Sequence, residues 1–163
     1  MGNKQSNVAN VPHGIPQGFI LGPFLFIYFI NDLPFHVNSS TINLYADDTT
    51  LTSSANYSST DRLEQNLNSS VAEIAEWAAF NKLPINESKT QAIHITGKRL
   101  SPKINYEMAL TINVAKLEVV PCVKLLGFEI DSELSFNSHV EKLCTKLSQR
   151  NQNIKKRYEL ACP

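Results

Sequence analysis

No stretch of this sequence is apolar for long enough to cross a bilayer. The longest, Phe19 to Ile30, runs for about a dozen residues, whereas a helical span needs roughly 20. It reads instead as a buried helix. Asn31-Asp32-Leu33-Pro34 follows it where a secretory leader would carry a small-residue cleavage site. Cysteine is scarce: Cys122, Cys144 and Cys162 are odd in number and widely spaced, which matches neither a disulfide framework nor a zinc site and favours a reducing compartment. Net charge is absent, with 15 basic residues against 15 acidic ones. Internal repeats are absent too. A length of 163 residues suffices for one domain with its own core.

The charge that is present is unevenly placed. Residues 137–163 hold Lys142, Lys146, Arg150, Lys155, Lys156 and Arg157 against Glu141 and Glu159. An electrostatic grip on nucleic acid would therefore sit at the C-terminal end, although a basic helix face is also simply a solvated one. Met1-Gly2-Asn3-Lys4-Gln5-Ser6 fits the N-myristoylation pattern, and fits equally a turn or strand end.

Pro and Gly punctuate residues 12–18 and exclude regular helix there. The apolar helix runs from about Phe19 to Ile30, and Pro34 closes it. Strands are expected at about Thr41–Ala46 and Thr49–Thr52, where β-branched residues gather. Asp61 and Glu64 form a capping-box pattern that opens an amphipathic helix to about Phe80, with Leu63, Leu67, Val71, Ile74 and Ala78 on one face. Further strands are expected at Gln91–Thr96 and Lys124–Asp131, with a hairpin and loops over residues 97–121. A last helix from about Asn137 to Tyr158 carries Val140, Leu143, Leu147, Ile154 and Tyr158 on one face. Lys142, Lys146, Arg150 and Arg157 line an adjacent face. The elements imply an α+β fold with an antiparallel or mixed sheet and helices on one side.

Asp47 and Asp48 interrupt a strand-like run, Asn43-Leu44-Tyr45-Ala46-Asp47-Asp48-Thr49-Thr50-Leu51. Successive strand side chains point to opposite faces, so the two carboxylates converge only where the chain turns. A tight hairpin there would present at least one at an exposed tip. Such a tip suits a hard divalent cation, which takes oxygen ligands; without one, the neighbouring charges repel or raise a pKa. Asp-Asp is also an ordinary turn dipeptide, and both readings stand on these two residues alone.

The wider context resembles the reverse transcriptases of non-LTR retrotransposons. Their pattern is close to G-[VI]-P-Q-G-S-x-L-G-P-x-L-F, then I-N-D, then [FY]-A-D-D-T. Here stand Gly14-Ile15-Pro16-Gln17-Gly18-Phe19-Ile20-Leu21-Gly22-Pro23-Phe24-Leu25-Phe26, then Ile30-Asn31-Asp32, then Tyr45-Ala46-Asp47-Asp48-Thr49. Trp77, Asn81, Leu83, Asn86 and Lys89-Thr90 are similar to the family's W…N-x-L-x-x-N-x-x-K-T segment. Leu126-Gly127, Ile130-Asp131, Leu134-Ser135-Phe136 and His139 are similar to its L-G-x-x-I-D…L-S-[WF]…H segment. The four motifs occur in the family's order.

The resemblance implies a partial polymerase palm over residues 1–96, a primer-grip-like hairpin region over 97–136 and the start of a thumb helix over 137–163. It implies RNA template, DNA primer and deoxynucleotide triphosphates as partners, no membrane, and a nuclear or cytoplasmic place. Asp47 would be the firm ligand of Mg2+ and Asp48 its support, with one ion activating the primer 3′-hydroxyl and a second steadying the pyrophosphate. Pro16, Gln17, Gly18 and Tyr45 would lie near nucleotide, template and primer end. A glycine there lets backbone approach a ligand closely. Lys89 would face the departing phosphates; read alone, it is a solvated loop lysine. Leu125, Leu126 and Gly127 would position the primer, or else form a buried strand. Lys142, Lys146, Arg150 and Arg157 would follow a phosphate backbone.

Two departures qualify the resemblance. Phe19 stands where the family usually has Ser. No acid occurs in residues 1–15, where the family's F-x-D…A-F-D strand would supply a third catalytic aspartate upstream. Two ions about 3.5–4 Å apart need a bridging carboxylate, and the missing strand would leave an inner strand as an open edge. The expectation is a polymerase fragment that is inactive alone, with a non-catalytic nucleic-acid-binding remnant and, less favoured, an N-myristoylated membrane-surface protein as the alternatives. Met1 falls inside what the family treats as continuous domain, so Gly2–Ser6 is expected to be a hairpin tip rather than a lipidation site.

Overall fold

The computed structural model describes residues 18–56, 58–103, 106 and 108–161, with side chains to residue 155. Helix α1 spans Gly22–Ile30. Pro23 sits in its first turn, where the missing N–H is an orphan in any case. Strands β1 (Thr41–Tyr45) and β2 (Asp48–Thr52) form an antiparallel hairpin. Helix α2 spans Thr60–Phe80. Six short strands follow: β3 (Gln91–Ala92), β4 (Thr111–Ile112), β5 (Ala115–Lys116), β6 (Glu118–Val119), β7 (Cys122–Leu125) and β8 (Phe128–Asp131). Helix α3, Asn137–Ala161, is the last described element.

The α+β composition is as expected, but the strands do not share one sheet. They form four separate two-stranded ladders: β1–β2, β4–β5 and β7–β8 antiparallel, and β3–β6 parallel. Two-residue strands offer too few ladder bonds to recruit a third, and among the described residues nothing pairs with the outer edges of β1 or β2. Such a hairpin is marginal unless it packs on something. Here Ile42 and Leu44 supply the packing.

The core lies in two clusters along α2. Its N-terminal half contributes Leu63 to a cluster with Met108, Leu110, Ile112 and Leu117. Its C-terminal half contributes Trp77 and Ala78 to a cluster with Ile30 and Leu33, flanked by Ile42 and Leu44. Leu63, Ser70 and Trp77 recur at sevenfold spacing, two turns apart, so they form one stripe. Ser70 is fully buried within it and donates to Ser40 Oγ at 2.9 Å.

Several expectations are corrected. Helix α1 is not buried. Only Ile30 is, while Phe24 is 67% and Tyr28 79% exposed, because α1 is apolar all round and only its end reaches the core. The capping box does not form. Ser59 is the N-cap without a side-chain bond. Glu64 instead accepts from Tyr106 Oη and Ala109 N, both at 2.9 Å. That bond pushes the Tyr106 phenol up to about 12, and burial adds to the effect. Asn68 continues the pattern, accepting from Thr111 N and donating to Ala109 O. The helix thus satisfies the backbone of β4 directly, which tethers the segment the sequence left least legible. Of the strand expected at Gln91–Thr96, only Gln91–Ala92 is laddered. The strand expected at Lys124–Asp131 is a hairpin that turns at Leu126-Gly127.

Helix α2 stops in a Schellman arrangement: Leu83 N donates to Ala78 O at 2.9 Å and Lys82 N to Ala79 O at 3.2 Å. Lys82 holds φ +56°, which costs a side-chain-bearing residue on the order of 1 kcal/mol. Lys82→Gly is expected to stabilise the chain by about 0.5–1 kcal/mol in a urea titration. Destabilisation would show that the lysine side chain makes an offsetting contact.

Candidate active site

The β1–β2 register places Tyr45 opposite Asp48, leaving Ala46 and Asp47 as a two-residue loop. Right-handed strand twist favours such loops when the first central residue has positive φ, and Ala46 has φ +51°. An alanine there is strained, so the turn carries a local cost at the carboxylate pair itself. Ile42 and Leu44 occupy the core-facing side of β1, while Thr41, Asn43 and Tyr45 face out. Asp48, directly across from Tyr45, shares its outer face. Asp47 and Asp48 are both exposed. The structure thus brings Tyr45, Asp47 and Asp48 together at one solvent-facing tip.

Pro16 and Gln17 lie outside the described residues. Gly18 has φ +89°, and a Cβ placed on it would meet nothing within 4 Å, so backbone conformation rather than space selects glycine here. Lys89 ends a 3-10 turn, Glu87–Lys89. Asn86 Oδ1 accepts from Lys89 N at 3.2 Å and Ser88 Oγ at 2.8 Å, and Thr90 Oγ1 donates to Asn86 O at 2.9 Å. The N-x-x-K-T spacing is therefore an asparagine-capped turn that fixes the Lys89 backbone and leaves its side chain exposed. Asn86 was legible only as a motif letter; its capping role is a finding of the structure.

Leu125 is half-buried in β7, and the turn residues Leu126 (φ +48°) and Gly127 (φ +91°) are exposed. Two successive positive φ values are the signature of a type I′ hairpin turn. Both hairpin tips singled out in the sequence thus carry a non-glycine residue in the left-handed region. The two hairpins belong to different ladders, and no strand pairing joins them among the described residues.

Helix α3 is fastened to β8 largely by residues to which the sequence assigns no role. The Asp131 carboxylate accepts from Glu133 N, Ser135 N, Ser135 Oγ and Phe136 N, between 2.7 and 3.1 Å. The Ser135 backbone bond is the main cause that holds its pKa below the ordinary carboxylate range, against a smaller opposing effect of burial. Glu129 pairs with Lys142 at 2.5 Å and accepts from Ser138 Oγ at 2.8 Å; the Lys142 bond, then the Ser138 bond, lower its pKa. The His139 ring lies 5.1 Å from that of Phe128. Lys142 is therefore occupied by Glu129, which leaves Lys146 and Arg150 as exposed cations of the stripe. Arg157 lies outside the residues whose side chains are described. Val140, Leu143, Leu147 and Ile154 are also exposed.

This fastening has a testable pH dependence. A carboxyl whose folded pKa is lowered stabilises fully above its unfolded value, and that contribution is lost as pH falls through the lowered folded value. The docking of α3 should therefore hold at neutral pH, begin to weaken as pH falls into the ordinary carboxylate range, and be lost below it. Asp131→Ala should speed amide exchange in residues 137–145 at neutral pH and leave the α2 core unchanged. Unaltered exchange there would remove Asp131 from this role.

Among the described residues, no group of three or more His, Cys, Asp or Glu is arranged to hold a metal. The donor chemistry of Asp47 and Asp48 suits a hard dication, but two carboxylates on one tip do not enclose a pair of ions. No described helix is long and apolar enough to cross a membrane.

Comparison with known proteins agrees with the motifs. The family model described as reverse transcriptase (RNA-dependent DNA polymerase) matches residues 1–130. The chain is similar to a probable RNA-directed DNA polymerase from transposon X-element of Drosophila melanogaster, 31% identical over 155 residues, covering 87% of this chain and 15% of that protein. It is similar to the RNA-directed DNA polymerase from mobile element jockey of Drosophila funebris, 30% identical over 149 residues, covering 85% and 15%. It is also similar to a retrovirus-related Pol polyprotein from type-1 retrotransposable element R1 2 of Nasonia vitripennis, 25% identical over 146 residues, covering 88% and 35%. The chain thus spans only 15% to 35% of the length of these relatives. No solved structure matches it. The match covers residues 1–130, including the whole β1–β2 hairpin and the turn of β7–β8, and the chain belongs to the reverse transcriptase family, related to the polymerases of non-LTR retrotransposons.

Proposed function

We propose that this chain supplies the paired-aspartate part of an RNA-directed DNA polymerase active site, which extends a primer 3′ end on an RNA template with deoxynucleotide triphosphates. The observation that carries the reading is the β1–β2 turn. It sets Asp47 and Asp48 side by side at an exposed tip, inside a family match that spans it. Asp47 serves as the firmer cation ligand and Asp48 as its support. Residues 1–96 belong to a palm, 97–136 to a primer-side hairpin region and 137–163 to the start of a thumb. Pro16, Gln17, Gly18 and Tyr45 flank the nucleotide and primer end, Lys89 the departing phosphates, and Leu125, Leu126 and Gly127 the primer strand.

Magnesium bound at such a site supplies Lewis-acid activation of the attacking and leaving oxygens. The residues present fit one edge of that site, because a bridging carboxylate is needed and, among the described residues, no third one is grouped with Asp47 and Asp48. The reading carries with it the expectation that these 163 residues extend no primer by themselves. Primer extension tests the reading in two arms. The isolated chain should extend no primer, and a family polymerase carrying these residues as its own segment should extend it and lose that ability on Asp47→Asn. Extension by the isolated chain, or full activity after Asp47→Asn, would overturn it.

A further inference from the structure

We propose that the loop of residues 97–103 is a second phosphate-backbone contact for the primer–template duplex, in addition to the basic stripe of α3. The inference rests on the nucleic-acid reading above and deepens it by assigning a contact to individual loop residues that the reading leaves without one. The chain as a whole is electrically balanced, yet residues 88–106 contain no acid and carry Lys89, Lys98, Arg99 and Lys103. Lys98, Arg99 and Lys103 are exposed, whereas Leu100 and Ser101 between them are half-buried. The loop thus tucks Leu100 and Ser101 inward and turns its cations, with Pro102, outward.

Its shape is set by successive tight turns. Gly97 takes φ +68°; Leu100 N and Ser101 N both donate to Gly97 O, at 3.1 and 3.0 Å, and Lys103 N donates to Leu100 O at 2.8 Å. None of the three cations makes an ion pair with a described residue. Thr96 N and Gly97 N both donate to Ser132 O, at 3.0 and 3.2 Å, and Ser132 N donates to Pro121 O at 2.9 Å. The loop is therefore pinned beside Asp131, the residue that fastens α3. Of the acids in that adjoining turn, Asp131 is engaged by four hydrogen bonds, and Glu133 is the remaining one. Unpaired cations on hydrated stems suit phosphates rather than base edges, so the contact positions the duplex without reading its sequence. Anchoring both basic segments at one junction lets them follow the same backbone.

The test is fluorescence anisotropy of a short RNA–DNA heteroduplex with the 163-residue chain over a series of salt concentrations. A Lys98→Gln/Arg99→Gln/Lys103→Gln variant should bind roughly tenfold more weakly. Its log–log salt slope should be shallower by about 2–3, since each lost phosphate contact removes about one unit. Lys146→Gln/Arg150→Gln should lower the slope further when combined with it. The loop side chains are exposed, so the melting temperature should not change. A loop variant with unmodified slope and affinity would overturn the proposal while leaving the nucleic-acid reading intact. Absence of salt-sensitive binding by the unmodified chain would overturn both. Binding to phosphatidylserine vesicles in preference to the heteroduplex would also overturn it, and would assign the loop to a lipid surface.

Discussion

Replacing Trp77 with alanine is expected to cost about 3–5 kcal/mol of stability, a large part of the roughly 5–15 kcal/mol that a domain holds. Trp77 is only 5% exposed and packs with Ile30, Leu33 and Ala78. Its cluster joins the end of α1, the C-terminal half of α2 and, through Ile42 and Leu44, the hairpin that carries Asp47 and Asp48. Losing the indole therefore loosens the hairpin as well as the core. Only nine apolar residues are buried among those described, so few other contacts compensate. Trp77→Phe should cost less, under about 2 kcal/mol, because ring volume is largely kept. The indole Nε1 is buried without an acceptor among the described residues, and its removal offsets part of the loss. Urea titrations followed by circular dichroism read both variants. An alanine variant that unfolds with the unmodified chain would show that the two clusters are not held by this residue.

Asp47→Asn in a family polymerase carrying this segment is expected to lower primer extension by about a thousandfold, since a metal-held transition state is stabilised by several kcal/mol. Asp48→Asn should cost less, as a supporting carboxylate. Both residues are exposed, so neither change should shift the melting temperature by more than a degree or two. That separation makes the prediction specific to chemistry. A variant that loses activity together with its fold would speak for a structural role at the turn, and one that keeps full activity would remove Asp47 from the site. Ala46→Gly serves as a control, because it relaxes the positive φ of the turn without touching a carboxylate.

The elements legible in the sequence were those with an uninterrupted period. Helix α2 announced itself through Leu63, Leu67, Val71 and Ile74, and the hairpin around Asp47-Asp48 through its β-branched flanks. What stayed illegible depended on contacts between distant segments. Glu64 has the spacing of a capping residue, but Tyr106 and Ala109, more than forty positions away, take its carboxylate instead. The apolar run of α1 reads as buried because an all-apolar helix normally is; here Ile30 is its one buried residue, and Phe26 and Phe29 reach the Trp77 cluster only in part. The break between β7 and β8 was hidden because Leu126 is a poor residue for positive φ, and a continuous strand was the simpler reading. Asp131 and His139 are motif letters without a stated job, Glu129 falls on an unspecified motif position, and only their placement against α3 shows a role. The aspartate pair itself was legible early, because two adjacent carboxylates in a strand demand an explanation.

The most direct test of the central claim is a Mn2+ titration of the isotopically labelled 163-residue chain, followed by paramagnetic broadening of its amide resonances. Broadening centred on Ala46, Asp47, Asp48 and Thr49 is expected, with a dissociation constant of about millimolar order for an incomplete oxygen site, and Asp47→Asn should abolish it. Broadening centred on other residues, or none at the hairpin tip, would contradict the assignment of the aspartate pair to a polymerase metal site.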